Sequence, residues 1–203
     1  MNSPRLLVLA AAALAVLPGA RAADTCPGCA ETPAAAASAL SNRSIYQVDA
    51  TWTTDAGRPF RLAELRGRPV VLAMFFTSCG YACPRIVADM ARIQQTLPAA
   101  VRARARFVLV SFDDVRDTAP VLRDYRAQHG LNADWVLLRG APGDIRELAA
   151  VLGVKYKRDA AGMFQHSNLI TVLNAEGEIV HQRAGLEGGL AEAGQAVVAA
   201  NLR

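Results

Sequence analysis

One stretch constrains the fold of this chain more than any other: an apolar segment that leads into two cysteines and then into a helical pattern. Residues 69–76 read PVVLAMFF, a β-branched and aromatic run without polar alternation, which is typical of a strand buried on both faces. After Cys83, apolar residues recur at spacings that indicate one face of a helix: Ile86, Val87, Met90, Ile93 and Leu97. Pro84 suits the first turn of such a helix, because the N–H that proline lacks has no partner there. The sequence therefore places Cys79 and Cys83 between a central strand and a helix N-terminus.

The chemistry of these two thiols follows from that position. Free N–H groups and the dipole at a helix start favour negative charge, so they lower the pKa of a thiol and populate the thiolate. The thiolate is both the nucleophile of disulfide exchange and a soft ligand for Cu(I) or zinc. With three residues between them, Cys79 and Cys83 can form a redox disulfide, a metal site or a plain structural disulfide. A structural disulfide has no need of a strand–helix turn, so the first two are favoured.

The N-terminal residues carry the pattern of an export signal. Residues 1–22 contain one early basic residue, Arg5, then an apolar run at 6–17 and the small-residue motif Ala20-Arg-Ala22. This order predicts a secretory signal peptide cleaved after Ala22. The apolar run is shorter than the roughly 20 residues that a membrane-spanning helix needs, so an uncleaved anchor is the less favoured alternative. We expect the periplasm, where thiols pair unless they are kept reduced or metal-bound.

The next segment contains a second cysteine pair. Residues 23–43 are rich in alanine and serine and lack a usable apolar period, which predicts a flexible tail. Cys26 and Cys29, in a CPGC motif, are either auxiliary thiols of a metal or redox site or a local disulfide, and the local disulfide is favoured. Residues 44–203 then form a single domain, since 52% hydrophobic residues supply one core.

The charge distribution argues against a nucleic-acid partner. The chain has 22 basic and 18 acidic residues, a formal net charge of +4. Its arginines are scattered, and no basic stripe is interleaved with aromatic residues, as nucleic-acid binding would favour.

The order of the predicted elements defines an α/β fold. Alternation from residue 45 and a turn at 55–58 predict an N-terminal β-hairpin. Strands at 69–76, 107–112, 135–138 and 154–158 then alternate with helices that start near 84, 118 and 142. Asp117 or Thr118 is a candidate N-cap for the second of these helices, and residues 102–106 form an exposed connection before the second of these strands. A C-terminal β-hairpin around 174–178 and an Ala-rich helix at 190–202 follow. The closest known architecture is a thioredoxin-like fold, a central mixed β-sheet flanked by helices, with the dithiol at the carboxyl end of a central strand.

The chain has three histidines, which differ in context. His129 precedes Gly130 at a predicted helix end, where a capping role suffices. His181 falls in a strand of the C-terminal hairpin, as a surface residue. His166 lies in a predicted loop before a strand, and the residues alone leave open whether it is a metal ligand or an ordinary loop histidine. Met163 could offer a thioether, although packing is the favoured use.

Four stretches, taken together, resemble the Sco/SenC family of copper chaperones over residues 46–186. They are FFTSCGYACP (75–84), SFDDVRDT (111–118), His166-Ser167 and the segment 55–67 with its LRG ending. The first is similar to the family's aromatic-rich CxxxCP segment and the second to its Asp-Pro-x-Arg-Asp-Thr-Pro segment.

The resemblance implies a fold, a metal and a partner. Members of that family have a thioredoxin fold and bind copper through the two CxxxC cysteines and a histidine, here Cys79, Cys83 and His166. The cargo would be Cu(I) or Cu(II), with Asp113 in a supporting role. The implied partner is the copper-bearing subunit of respiratory cytochrome c oxidase, with another periplasmic copper carrier or a thiol reductase as further candidates.

Other functions remain open from the sequence. The family's Asp-Pro is Asp113-Asp114 here, its Thr-Pro is Thr118-Ala119, and the Cys26/Cys29 pair is extra, which leaves the client undetermined. An exported thiol–disulfide oxidoreductase using Cys79 and Cys83 is the main alternative. Thioredoxin-type enzymes have a CxxC pair and a proline before the strand that faces it, whereas this chain has CxxxC and no proline at 165–169, so copper binding is favoured over enzymatic reduction. A redox sensor or adaptor without copper is a third possibility.

Overall fold

The structure, a computed structural model, describes residues 40–160 and 162–202. The predicted signal peptide, most of the predicted tail, and both Cys26 and Cys29 lie outside these ranges. Within them, no helix combines the length and the apolar character needed to cross a membrane.

A seven-stranded mixed sheet forms the centre of the domain, in the order β2-β1-β5-β4-β3-β8-β9. The strands of the described residues are β1 (Trp52–Thr54), β2 (Pro59–Phe60), β3 (Val70–Phe75), β4 (Arg106–Ser111), β5 (Trp135–Arg139), β6 (Tyr156–Arg158), β7 (Phe164–His166), β8 (Leu169–Leu173) and β9 (Ile179–Ala184). β3, β4 and β5 run parallel, and β8 pairs antiparallel with β3. Every residue of β3 is buried, as its unbroken apolar run predicts.

Five helices of the described residues flank this sheet. They are α1 (Ala82–Thr96), α2 (Ala99–Arg104), α3 (Ala119–Gln128), α4 (Pro142–Leu152) and α5 (Leu190–Ala200). α1 packs against α5, α5 contacts β8 and β9, and α3 contacts β5. The prediction of an α/β domain with a central mixed sheet, an N-terminal hairpin (β1–β2) and a C-terminal hairpin (β8–β9) plus helix is confirmed.

Several boundaries differ from the sequence prediction, each for a local reason. The predicted alternation at residue 45 is instead a 3₁₀ turn, Ile45–Gln47, because the Ser44 hydroxyl accepts a hydrogen bond from the Tyr46 N–H at 3.2 Å. The predicted connection at 102–106 is partly the short helix α2, and β4 begins at Arg106. Thr118 occupies the N-cap position of α3, but its side chain makes no capping bond.

A separate two-stranded sheet stands beside the main one. β6 and β7 pair antiparallel, with Tyr156 opposite His166 and Arg158 opposite Phe164. His166 was predicted to lie in a loop, but it is the last residue of strand β7, because it pairs with Tyr156 of β6. We call residues 156–160 and 162–166 the histidine hairpin.

The histidine hairpin packs onto the main sheet through aromatic rings. Phe76 and Phe112 follow β3 and β4 directly, and both rings face the hairpin. Phe112 stacks on Tyr156 with 5.3 Å between ring centroids and lies 5.1 Å from Phe164, which is also 5.3 Å from Phe76. This aromatic cluster places the hairpin at the carboxyl ends of two central parallel strands, which is where the cysteines also lie.

Candidate metal centre

The two cysteines lie where the sequence predicts, in the turn from β3 into α1. The helix starts at Ala82, two residues earlier than predicted, so Cys83 is its second residue and Pro84 its third. Proline is tolerated there because the first N–H groups of a helix have no intrahelical acceptor. The Cys83 N–H faces the Cys79 Sγ at 3.4 Å. Both thiols are free, Cys83 fully buried and Cys79 partly exposed.

A buried carboxylate anchors the start of this turn. Asp117 is fully buried, and its Oδ2 accepts hydrogen bonds from the Thr77 N–H at 3.0 Å and from the Ser111 hydroxyl at 2.5 Å. The Thr77 hydroxyl donates to Asp117 Oδ1 at 2.5 Å. The side chain of Asp117 therefore ties the cysteine turn to the end of β4. From the sequence, Asp117 is a candidate helix cap, and no local pattern indicates this second role.

His166 faces the buried cysteine from the histidine hairpin. Its Nε2 lies 3.8 Å from Cys83 Sγ, and its Nδ1 lies 3.0 Å from the Ser167 carbonyl oxygen. Because a carbonyl oxygen only accepts hydrogen bonds, this contact places a proton on Nδ1 and leaves a lone pair on Nε2, the arrangement of a metal-binding imidazole. The ring is also held by aromatic contacts, 5.0 Å from Phe112 and 5.9 Å from Phe76 between centroids.

The ligand atoms of Cys79, Cys83 and His166 all lie within 4.8 Å of one another. In the part of the chain that the structure describes, this is the one group of three or more His, Cys, Asp or Glu residues with that geometry. The three residues singled out from the sequence are thus brought together from two separate segments. Because metal–sulfur and metal–nitrogen bonds are about 2.0–2.3 Å long, a modest approach of the three ligand atoms toward one another would let them bind one metal ion.

The surroundings give the three groups different proton affinities. Burial by itself would raise the pKa of the Cys79 thiol. Hydrogen bonds to Cys79 from the backbone of residues 81–83 and from the Cys83 side chain outweigh this effect, and together they bring the pKa below its usual value. Burial raises the pKa of the Cys83 thiol, and the negative charges of Cys79 and Asp117 act in the same direction. Burial lowers the pKa of His166 by more than its hydrogen bond with Ser167 raises it. The environment therefore shifts Cys79 toward the thiolate and His166 toward the neutral imidazole.

Asp113 is near the site but does not join the ligand group. It is fully buried, and its carboxylate forms an ion pair with the Arg116 guanidinium and accepts the Arg116 N–H at 3.1 Å. Its own N–H donates to Ser111 Oγ at 3.0 Å.

The remaining candidates from the sequence lie elsewhere. His129 is the exposed C-cap residue of α3, as predicted from Gly130. His181 is half-buried in β9. Met163 is 37% exposed in the turn of the histidine hairpin, and it is not part of the ligand group.

The fold and the ligand group define a thioredoxin-like domain with a dithiol–histidine centre. The chain belongs to the SCO1/SenC family, whose match spans residues 39–197. A Stutzerimonas stutzeri protein named "Putative copper-binding protein" is 28% identical over 150 residues, which is 71% of this chain and 72% of that protein.

Solved structures show the same fold at low sequence identity. Bradyrhizobium japonicum ScoI with copper bound superposes with a TM-score of 0.63 at 19% identity, over 74% of this chain and 96% of that one. BsSco, a member of the Sco family of cytochrome c oxidase assembly proteins in which a disulfide switch has been identified, superposes with a TM-score of 0.64 at 21% identity, over 75% and 91% of the two chains. At such identities the likeness establishes the thioredoxin-like fold.

Proposed function

We propose that this protein binds one copper ion through Cys79, Cys83 and His166 and acts as an exported metallochaperone for the copper site of respiratory cytochrome c oxidase. The observation that carries the proposal is the convergence of two thiols and an imidazole Nε2 within 4.8 Å. Two soft thiolates and one imidazole suit Cu(I), and imidazole also suits Cu(II). Membership of the SCO1/SenC family and the names of the relatives support copper as the metal.

The directions of the pKa shifts of Cys79 and His166 support metal binding. Metal ligation requires a deprotonated thiol and a neutral imidazole, and the environment shifts the pKa values of Cys79 and His166 toward those forms. Cys83 retains its proton more strongly, so metal binding there must release a proton. The partly exposed Cys79 is the ligand that an incoming donor or acceptor protein reaches first, which suits a site that passes its cargo on.

The cellular setting is part of the same proposal. The export signal predicted at residues 1–22 supports a periplasmic location, and the family resemblance supports the copper-bearing subunit of the oxidase as the client. A periplasmic copper carrier would load the site. Because a disulfide between Cys79 and Cys83 has no thiolate to offer, a thiol reductase would have to keep the pair reduced.

One feature favours a second candidate, an exported thiol–disulfide oxidoreductase. The two thiols are unequal: Cys79 is partly exposed with a lowered pKa, and Cys83 is buried with a raised one. Thiol–disulfide exchange uses such a pair, with the exposed thiolate attacking a substrate disulfide and the buried thiol resolving the mixed disulfide.

Replacement of His166 by alanine separates the two candidates. The chaperone needs this imidazole to complete its site, so the copper affinity of the reduced protein should fall. Removing a residue that only orients a metal ligand already lowers metal affinity about 10–100-fold, and removing the ligand itself should cost at least as much. Oxidase loading in a host that lacks the native protein should also fail. His129→Ala, at the exposed end of α3, is the matched control and should leave both unchanged.

The outcome is decided by measuring three quantities on one preparation: copper affinity, oxidase loading and reduction of a disulfide substrate. A reductase would keep its activity and its cellular role without His166. Unchanged affinity together with full oxidase assembly in His166→Ala would refute the copper site proposed here.

A further inference from the structure

The histidine hairpin needs outside contacts to hold its position. It forms a sheet of its own, β6–β7, apart from the seven-stranded sheet. A two-stranded hairpin alone is at best marginally stable in water, so its packing partners set its position. One set of contacts is the aromatic cluster at the β7 end, where Phe164 and His166 meet Phe76 and Phe112.

A second contact fastens the turn of the hairpin. The Arg116 Nη2 donates to the Gly162 carbonyl oxygen at 2.5 Å, across 46 positions of sequence. Gly162 lies in the turn that joins β6 to β7, where its N–H donates to the Asp159 carbonyl at 3.0 Å and Met163 N–H donates to Asp159 Oδ1 at 2.9 Å. These bonds hold Gly162 and Met163 to Asp159, and Arg116 connects Gly162 to the loop after β4.

Asp113 fixes the arginine that makes this contact. The carboxylate of Asp113 is fully buried and pairs with the Arg116 Nε, while Arg116 Nη2 is the nitrogen that reaches Gly162. A guanidinium can make both bonds at once because its donors are held in a rigid plane, whereas the single ammonium of a lysine lacks that geometry.

We infer that Arg116, held by Asp113, is a positioning residue that sets the histidine hairpin so that His166 Nε2 stays beside Cys83 Sγ. The inference rests on the proposed function, in which His166 is the third copper ligand. It also gives Asp113 a physical role in the site: the carboxylate acts through Arg116 and the hairpin, not as a ligand.

Arg116→Met tests this inference, with Arg104→Met as the matched control. Arg104 makes the same kind of bond at a remote place, from its Nη2 to the Gly67 carbonyl at 3.1 Å. Because Arg116→Met leaves a buried carboxylate unpaired, which is strongly destabilising, the double variant Asp113→Asn/Arg116→Met serves as a second test without that charge.

The first readout is amide hydrogen exchange of the reduced, copper-free protein. We expect exchange within the histidine hairpin to accelerate about 10-fold or more in both Arg116 variants, while β3 and β4 keep their protection. The second readout is Cu(I) affinity, which should weaken about 10-fold, as when a partner that orients a metal ligand is removed. The rate of Cys79 alkylation should stay within about two-fold, since the strand–helix turn does not depend on Arg116.

A double-mutant cycle with His166→Ala identifies the route of the effect. If Arg116 acts through His166, adding Arg116→Met to His166→Ala should cause no further loss of copper affinity. Additive losses, or wild-type hairpin exchange and wild-type affinity in both Arg116 variants, would overturn the inference. If His166→Ala alone leaves affinity unchanged, the proposed copper site fails instead, while hairpin exchange still reports whether Arg116 holds the turn.

Discussion

Asp117 offers a sharp test of how the cysteine turn is built. Its buried carboxylate accepts hydrogen bonds from the Thr77 N–H, the Thr77 hydroxyl and the Ser111 hydroxyl. Asp117→Ala removes the acceptor of all three. Asp117→Asn keeps the shape, because one amide oxygen can accept from Thr77 N–H and Ser111, and the Thr77 hydroxyl can turn to accept from the amide NH₂.

The expected loss of stability can be worked out from these contacts. In Asp117→Ala, the hydroxyl of the fully buried Ser111 and the N–H of the half-buried Thr77 lose their partner, and an unsatisfied buried donor costs about 1–3 kcal/mol. We take about 3 kcal/mol in total, which lowers the melting temperature of a domain of this size by about 6–12 °C. Asp117→Asn should cost only about 1 kcal/mol, since it exchanges charged hydrogen bonds for neutral ones.

Asp117→Ala and Asp117→Asn should nevertheless have the same effect on the pKa of the Cys83 thiol. Burial and the charge of Cys79 are the larger causes of the raised pKa of the Cys83 thiol, and the negative charge of Asp117 adds to them. Both variants remove the charge of Asp117. That pKa should therefore fall in both. Alkylation rate against pH, measured in a Cys79→Ser background, reports it, and thermal unfolding reports stability. Asp124→Ala, an exposed position on α3, is the control for the loss of a carboxylate.

Two results would refute this reasoning. A melting temperature of Asp117→Ala within about 2 °C of the wild type would show that the three hydrogen bonds do not hold the turn. Equal melting temperatures for Asp117→Asn and Asp117→Ala would show that the charge itself, and not the acceptor geometry, provides the stability.

Three further predictions concern the thiols and the core. Copper should bind the reduced protein but not the Cys79–Cys83 disulfide, as equilibrium dialysis with and without reductant would show; equal binding would place the metal elsewhere. Iodoacetamide should modify Cys79 before Cys83, and this preference should persist as the pH falls toward neutrality, because the pKa of Cys79 is lowered and that of Cys83 is raised; peptide mass mapping that found Cys83 modified first would contradict it. Gly140→Ala should lower the free energy of unfolding by about 1–3 kcal/mol in denaturant titrations, because an added Cβ would lie 2.5 Å from the buried Trp52 ring; an unchanged midpoint would show that the ring can move aside.

The local parts of the site follow from the sequence. An apolar run with no polar alternation is typical of a doubly buried strand, and β3 is buried throughout. The apolar spacing after Cys83 predicts α1, with Cys79 between the two elements and Cys83 in the first turn of the helix. These predictions depend on periodicity and on neighbouring residues, which is the information that a single sequence carries directly.

The contacts between distant segments could not be read in the same way. Without the family resemblance, the residues around His166 leave it undecided between ligand and loop residue, because its position beside Cys83 depends on a hairpin that packs through aromatic rings. Asp117 has the residue type and the place of a helix cap, and local preference gives no reason to look further. In the structure its carboxylate instead bonds Thr77, 40 positions away.

Topology nevertheless contains a signal for these residues. β3 and β4 are parallel and adjacent, so the segments that follow them emerge at the same edge of the sheet. Cys79 follows β3, and Asp113 and Asp117 follow β4, so polar residues just after the second strand are candidates to support thiols just after the first. In this chain the rule selects Asp117, which anchors the cysteine turn, and Asp113, which holds Arg116. It does not select His166, which comes from outside the parallel strands, so from the sequence this ligand is implied only by the family resemblance.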